Sequence, residues 1–248
     1  MVDKIIEGFQ KDFLAIKGKG WIPSNRFHDT GIGKTFEDFI GVIENNKTSA
    51  DYGGVLELKS TRELSESMIT LFTKSPDPRG INTELREKFG YFDEEHQDMK
   101  ILHTTFSGNK FNTCADKFGF ALEIDEKGQK IDIKIKNLKD NSIEKFEAFY
   151  PFKILNKIIE NKCKNIILID AESKKEKGAE YFKFNKAVLL TGLTFEVFLK
   201  SIKIGTIKYD VRLGVYRTGD KKGKTHDHGS GFRIHKSDLN KVFQIEEL

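Results

Sequence analysis

The sequence predicts an α/β or mixed α+β protein built on a mixed sheet, and three observations carry that reading. Apolar residues recur at helical spacing in some segments and form short strand-like runs in others. The two kinds of segment are mixed without strict alternation, so a regular βα repeat is excluded. No repeat period or low-complexity tract interrupts them, and only four prolines occur in 248 residues. That length suits one large domain or two lobes, with enough chain for a sizeable core.

The elements follow in order. Ile5, Ile6, Phe9, Phe13 and Ile16 predict a helix over 2–16, stopped by Gly18 and Gly20. Phe36, Phe39, Ile40 and Ile43 predict a second helix over 34–44. Strands are expected at 55–59, after Gly53-Gly54, and at 68–73, with Pro76 and Pro78 marking the next loop. A short helix is expected at 82–89. Strands are expected at 101–106, 118–124 and 131–135, the last two joined by a turn at Gly128. The chain continues with a helix at 152–161 and an apolar buried strand at 165–169. A strand at 181–184 and a helix at 195–202 come next. Strands at 207–216 and 231–235 bracket a Gly- and Lys-rich loop.

Composition narrows the class. With 38% hydrophobic and 32% charged residues, the chain is too apolar for disorder and too polar for a membrane protein. No apolar run approaches the ~20 residues of a spanning helix, and the charged start MVDKIIEGFQKDF lacks a signal peptide's apolar core. Cys114 and Cys163 stand far apart and suit free thiols in a cytoplasmic setting. Net charge is +4, unevenly spread. Residues 200–236 hold ten Lys/Arg against three Asp/Glu, a net of +7, which leaves 32 against 35, or −3, elsewhere. A basic segment on a slightly acidic body points to a polyanion-binding face; the bland alternative is a solvated lysine-rich surface.

The most informative segment is Asp51-Tyr-Gly-Gly-Val-Leu-Glu57-Leu-Lys59. On a strand, Glu57 and Lys59 share one face while Leu56 and Leu58 take the opposite, buried one. The Gly-rich bend can bring the Asp51 carboxylate back toward Glu57. Two carboxylates on a polar face suit a hard divalent cation such as Mg²⁺, which also takes substrate phosphate oxygens. A neighbouring lysine can orient the attacking water and offset transition-state charge, which is what phosphodiester hydrolysis requires. The same D-x₅-E-x-K pattern also arises by chance on exposed strands.

Glu37 falls in the first turn of the second helix, which Thr35 is placed to cap, with Asp38 as the partner three residues on. Gly33-Lys34-Thr35 looks like the end of a phosphate-binding loop, but that motif needs glycine where His28 stands, so an ATPase is rejected.

In the basic segment, Arg212, Arg217 and Arg233 carry forks suited to guanine edges. His226 and His228 can reach base edges, and Lys221, Lys222 and Lys224 on the Gly-rich loop suit phosphates. Asp227 belongs to the same candidate DNA-binding stretch. His226, Asp227 and His228 are also a candidate zinc set. A ββα His-metal nuclease would need a following His or Asn, for which Asn240 is a weak match.

Together these segments resemble the MvaI/BcnI family of type II restriction endonucleases, more closely its MvaI branch. The matching stretches are TGIGKTFED at 30–38, Asp51…Glu57-Leu-Lys59, TLFTKSP-x-PRG at 70–80, SGN at 107–109, AESK at 171–174 and GKTHDHGSGFRI at 223–234. They span nearly the whole chain. The resemblance implies a PD-(D/E)XK nuclease with a MutH-like core, a mixed sheet flanked by helices, and a DNA-recognition lobe. The catalytic part is expected mainly in 1–110 and sheet completion with recognition in 111–248.

The resemblance further implies Asp51, Glu57 and Lys59 as the catalytic set, Glu37 as an accessory carboxylate, and Asp51, Glu57 and Glu37 as metal ligands. Mg²⁺ is the implied cofactor, with Mn²⁺ or Ca²⁺ able to occupy the site. Arg212, Arg217, His226, His228 and Arg233 are implied DNA contacts. The implied substrate is double-stranded DNA at a CCNGG-type site, CCWGG by the C-terminal motif. The implied enzyme is a cytoplasmic monomer that nicks the strands in turn and works beside a DNA methyltransferase, with no membrane partner.

Two departures stand out. The Asp-to-Glu spacing is one residue longer than in the MvaI branch, with Gly53-Gly54 expected to absorb it as a bulge. Arg217 stands in place of His in the segment after Tyr216, which alters the expected base preference. The competing readings are a MutH-type nicking endonuclease of repair and a catalytically silent DNA-binding protein.

Overall fold

The computed structural model of the chain describes residues 2–26, 30–42 and 49–248. It resolves into two compact units interleaved along the sequence. One comprises 1–69, 158–194 and 236–248; the other comprises 70–157 and 195–235. The chain therefore changes unit at 69/70, 157/158, 194/195 and 235/236. Positions 28, 43 and 44 lie outside the described residues, and the helix expected to run to 44 ends at Ile40, capped by Gly41 at positive φ.

The first unit is a five-stranded sheet. Its order runs Ile22–Pro23, Ala179–Thr191, Asn165–Glu176, Glu57–Arg62, with Gln244–Glu247 also pairing to Ala179–Thr191. Only Asn165–Glu176 and Glu57–Arg62 run parallel. Ile166, Ile167, Leu168 and Ile169 are all buried, which is why this strand reads as a continuous apolar run. The strand does not stop at 169. It continues to Glu176 and turns back at Lys177-Gly178, both at positive φ, as a two-residue hairpin loop requires. Beyond Ala171 its residues are polar, and cross-strand pairing carries it on, with Lys174 over the Trp21 and Tyr181 rings.

The helices Val2–Lys17 and Gly31–Ile40 cover one face. Phe9, Phe13, Ile16, Ile32 and Phe36 pack there on Leu56, Leu58, Ile167, Ile169, Phe182 and Phe184. The second helix begins at Gly31, not at 34. Thr35 is thus an interior residue, not a cap, and its buried hydroxyl accepts from the Asn25 N–H at 3.0 Å.

The second unit carries two sheets. One runs Ile69–Thr73, Gly231–Ile234, Ile207–Val215, Lys100–Phe106, Tyr91–Phe92, with Thr225–Asp227 also paired to Ile207–Val215. The other is the meander Asn112–Cys114, Phe118–Asp125, Lys130–Asn137, Phe149–Pro151. Phe106, Phe120, Tyr150, Phe198, Tyr209 and Phe232 are fully buried and close an aromatic core. Such a core buries much apolar area per residue.

The helix expected over 152–161 is α-helical only over Phe152–Ile158 and passes into a π-helical turn over Ile159–Cys163. Both cysteines are free, and both are buried. Among the described residues, no helix is long and apolar enough to cross a membrane.

Candidate functional site

In the first unit, the strand Glu57–Arg62 carries the Glu57 and Lys59 of the expected catalytic set. Its regular pairing begins at Glu57, two residues later than periodicity suggests, because 49–56 is a turn. Gly53 and Gly54 both take positive φ, of 59° and 70°, which side chains with a Cβ rarely adopt. The turn is closed by the bridges Ala50↔Gly54 and Tyr52↔Leu56. It returns Asp51 to the strand, where its Oδ2 accepts from the Leu58 N–H at 3.0 Å.

Glu57 and Lys59 share a face, while Leu56 and Leu58 enter the core on the other. Lys59 Nζ donates to Glu57 Oε1 at 2.7 Å. Glu57 is only 4% exposed, deeper than a surface strand pair would be. Its other oxygen, Oε2, is buried and accepts no hydrogen bond, with Lys162 Nζ 3.9 Å away. A buried carboxylate oxygen without a donor is costly unless a cation completes it. That orphaned acceptor is the feature of this site that fits a divalent metal ion. Cys163 lies beside it, and burial pushes its thiol up to about 12 against the opposing pull of Lys59 and Lys162.

Glu37 is half-buried on Gly31–Ile40, and its carboxylate folds back over the preceding turn, near Gly33. Among the described residues no three His, Cys, Asp or Glu side chains converge into a metal-binding group. Asp51 and Glu57 are brought together through one peptide unit; Glu37 is not gathered with them into a three-ligand cluster. The same finding removes His226, Asp227 and His228 as a zinc set.

The second unit presents the basic segment on one sheet face. Tyr209, Val211 and Leu213 point inward from Ile207–Val215 and are buried; Lys208, Asp210 and Arg212 take the opposite face. Cross-strand pairing sets Arg212 opposite His103 and Asp210 opposite Thr105. His228 packs directly on Gly214, where an added Cβ would come within 2.6 Å of its Nε2. Its ring lies 4.1 Å from that of His226, which stacks on Tyr216 at 4.3 Å. Desolvation and the neighbouring His226 hold the His228 imidazolium below its usual range, and desolvation with Arg212 does the same for His103. Both rings are neutral at neutral pH and can each donate and accept. They line a cleft of about 560 Å³ with Asp93, Glu95 and Arg217.

The arginines are not equivalent. Arg212 is exposed and donates to Asp210 at 2.7 Å. Arg217 is exposed and spans Asp93 and Glu95 at 2.8 and 2.7 Å. Arg233 is buried, bound to the Gly229 carbonyl at 2.8 Å and 3.2 Å from Asp210 Oδ2. Asp227 is occupied by its own turn, accepting from the Gly229 and Ser230 N–H groups and from Asn82. Lys221 lies over Tyr216, and Lys222 and Lys224 are exposed.

Sequence reasoning did not single out Lys162, Asp93, Glu95, His103 or Asp210. For His103 a signal existed: alternation along 100–106 sets it opposite buried Leu102 and Phe106. Lys162 carried none, because its place depends on the π-turn.

A two-unit α+β chain with a D…E-x-K strand in one unit and a His/Arg face in the other has the parts of a site-specific endonuclease. The MvaI/BcnI restriction endonuclease family model matches residues 10–243, and the chain belongs to that family. It is a type II restriction endonuclease. Among solved structures it is similar to restriction endonuclease MvaI in complex with cognate DNA, at 36% identity and TM-score 0.88, covering 97% of each chain. It is also similar to MvaI in the absence of DNA, at 35% identity and TM-score 0.60, covering 96% of this chain and 94% of that one. No curated protein sequence matches it. Enzymes of this family generally use divalent metal ions.

Proposed function

We propose that this chain is a Mg²⁺-dependent endonuclease that hydrolyses both strands of double-stranded DNA at a short pseudopalindromic site of CCNGG type, with CCWGG as the leading form. The supporting observation is the Glu57–Lys59 pair, held at 2.7 Å beside the returning Asp51 carboxylate, with Glu57 Oε2 left without a donor. Asp51 and Glu57 are the metal-holding carboxylates and Glu37 is an accessory one. A bound Mg²⁺ would lower the pKa of its water and offset charge on the phosphoryl oxygens. The chain's own groups do the rest. Glu57 fixes Lys59 by accepting from it, and Lys59 presents a positive charge where the attacked phosphate gains negative charge. Mn²⁺ or Ca²⁺ can occupy the same carboxylates.

Recognition falls to the second unit. Arg212, Arg217, His226 and His228 face base edges, and Lys221, Lys222 and Lys224 track phosphates. Arg233 and Asp227 act on that face from beneath, by holding the Gly229 turn. The likeness to a cognate DNA complex of MvaI supports this assignment.

One catalytic set per chain and an odd-length site favour a monomer, since a two-fold dimer cannot match an asymmetric central pair. The enzyme nicks one strand, rebinds in the opposite orientation and cuts the other; a cytosine methyltransferase is its functional counterpart in the host. Cleavage of supercoiled plasmid in Mg²⁺ tests the reading. Nicked circles should rise and then decay to linear product at limiting enzyme. Two chains per site by sedimentation, with no nicked intermediate at any enzyme concentration, would overturn the monomer scheme.

A further inference from the structure

The Glu57 carboxylate meets two lysines, not one. Lys59 donates to Oε1 at 2.7 Å from two residues along the same strand. Lys162 Nζ stands 3.9 Å from Oε2, close enough for charge but outside hydrogen-bond reach. Oε2 is buried and has no hydrogen-bond partner. Lys162 reaches it from a separate element, the π-helical turn Ile159–Cys163. Such turns hydrogen-bond across one residue more than an α-helical turn and occur often at functional sites. Buried Cys163 anchors the turn, and the strand it leads into sets Ile166 opposite Glu57. The register therefore delivers Lys162 to the end of the strand where the carboxylate sits.

An ammonium at this distance offsets the buried carboxylate's charge without occupying its acceptor. A divalent cation on Oε2 would bring a second cation, of twice the charge, against the same oxygen as the Lys162 ammonium. The Lys162 side chain retains 30% of its exposure and has four rotatable bonds with which to withdraw. We propose that Lys162 is a positioning residue of the catalytic site: it counterbalances Glu57 Oε2 in the metal-free enzyme and is displaced when a divalent cation binds there. The inference rests on the reading of Glu57 as a metal ligand.

The test measures binding of Mn²⁺ alone to the full chain without DNA, by electron paramagnetic resonance of the free ion. Lys162→Met removes the competing charge, and Mn²⁺ affinity should rise about three- to tenfold, as expected for a partly exposed charge pair. Lys162→Arg should stay near wild type. Thermal melts of both variants check that the fold is kept. Mn²⁺ affinity of Lys162→Met within twofold of wild type overturns the inference. The same null accompanied by weakened DNA binding overturns it in favour of a phosphate contact. Glu57→Gln separates the two levels: it should abolish Mn²⁺ binding whichever residue stands at 162. If Glu57→Gln binds Mn²⁺ as well as wild type does, the metal-ligand reading itself fails.

Discussion

The two units handle charge in opposite ways. In the first, the strand Glu57–Arg62 keeps a buried carboxylate with one oxygen bonded to Lys59 and the other accepting nothing. In the second, charges are paired: Arg217 spans two carboxylates, Asp210 lies against both Arg212 and Arg233, and Asp227 is filled by its own turn. An unsatisfied buried acceptor costs stability and so marks a place where chemistry has prevailed over packing. A paired arginine costs little to keep and can exchange its protein carboxylate for a base edge. The first arrangement suits a fixed reaction centre, and the second a surface that must be specific before it is tight.

Removing the open chemistry should have the largest effect. Lys59→Ala and Asp51→Ala should lower single-turnover cleavage in Mg²⁺ by at least ~10²–10³ while leaving specific DNA binding in place. Wild-type cleavage by Lys59→Ala would remove this pair from the reaction.

Next comes Arg233, which sharpens the contrast because a buried arginine is structural before it is anything else. Arg233→Ala should destabilise the chain by roughly 1–3 kcal/mol, since it removes one of the two arginines on Asp210 and frees the Gly229 carbonyl. Urea unfolding measures this. An unchanged midpoint together with lost discrimination at one base pair would make Arg233 a direct reader instead.

Replacing Lys221, Lys222 and Lys224 together with Ala should leave the melting temperature almost untouched. It should flatten the dependence of log affinity on log salt by about 0.9 for each phosphate no longer neutralised. The recognised site should not change. An unaltered slope would reduce these lysines to solvated surface.

The smallest effect concerns pH. His103 and His228 titrate below their ordinary value in the folded chain. As pH falls through about 6.5, the unfolded chain takes up protons first, so stability drops until the lower folded values are passed. His228→Gln should shallow that loss between about pH 7 and 5 in a melting series. A steeper loss in the variant would reverse the sign assigned to this ring.

How far the sequence could be read follows from where each pattern comes from. The helix Val2–Lys17, the strand Ile207–Val215 and the buried run Ile166–Ile169 were legible because one face or both meet the core, and burial writes itself as periodicity. The outer half of the hairpin, 170–176 with 179–180, was not. Apart from buried Ala171 its residues are mostly polar, and pairing to neighbouring strands holds them extended. The Thr35 cap failed for a related reason. The helix begins earlier, at Gly31, and Thr35 answers a donor ten residues upstream.

By itself, then, the sequence determined the shared face of Glu57 and Lys59, which strand alternation imposes, and the family, which motifs spread along the whole chain carry. Tertiary structure decided the partners. The turn at Gly53-Gly54 returns Asp51 to Leu58, the π-turn delivers Lys162 to Glu57, and sheet pairing sets His103 against Arg212. It also buried Arg233 on the polar face it shares with Lys208, where a local reading had left it open. Spacing along one element fixes which side chains share a face, because backbone geometry is local. Which group completes a buried carboxylate depends on chain segments about a hundred residues apart, brought together by burial of the core between them.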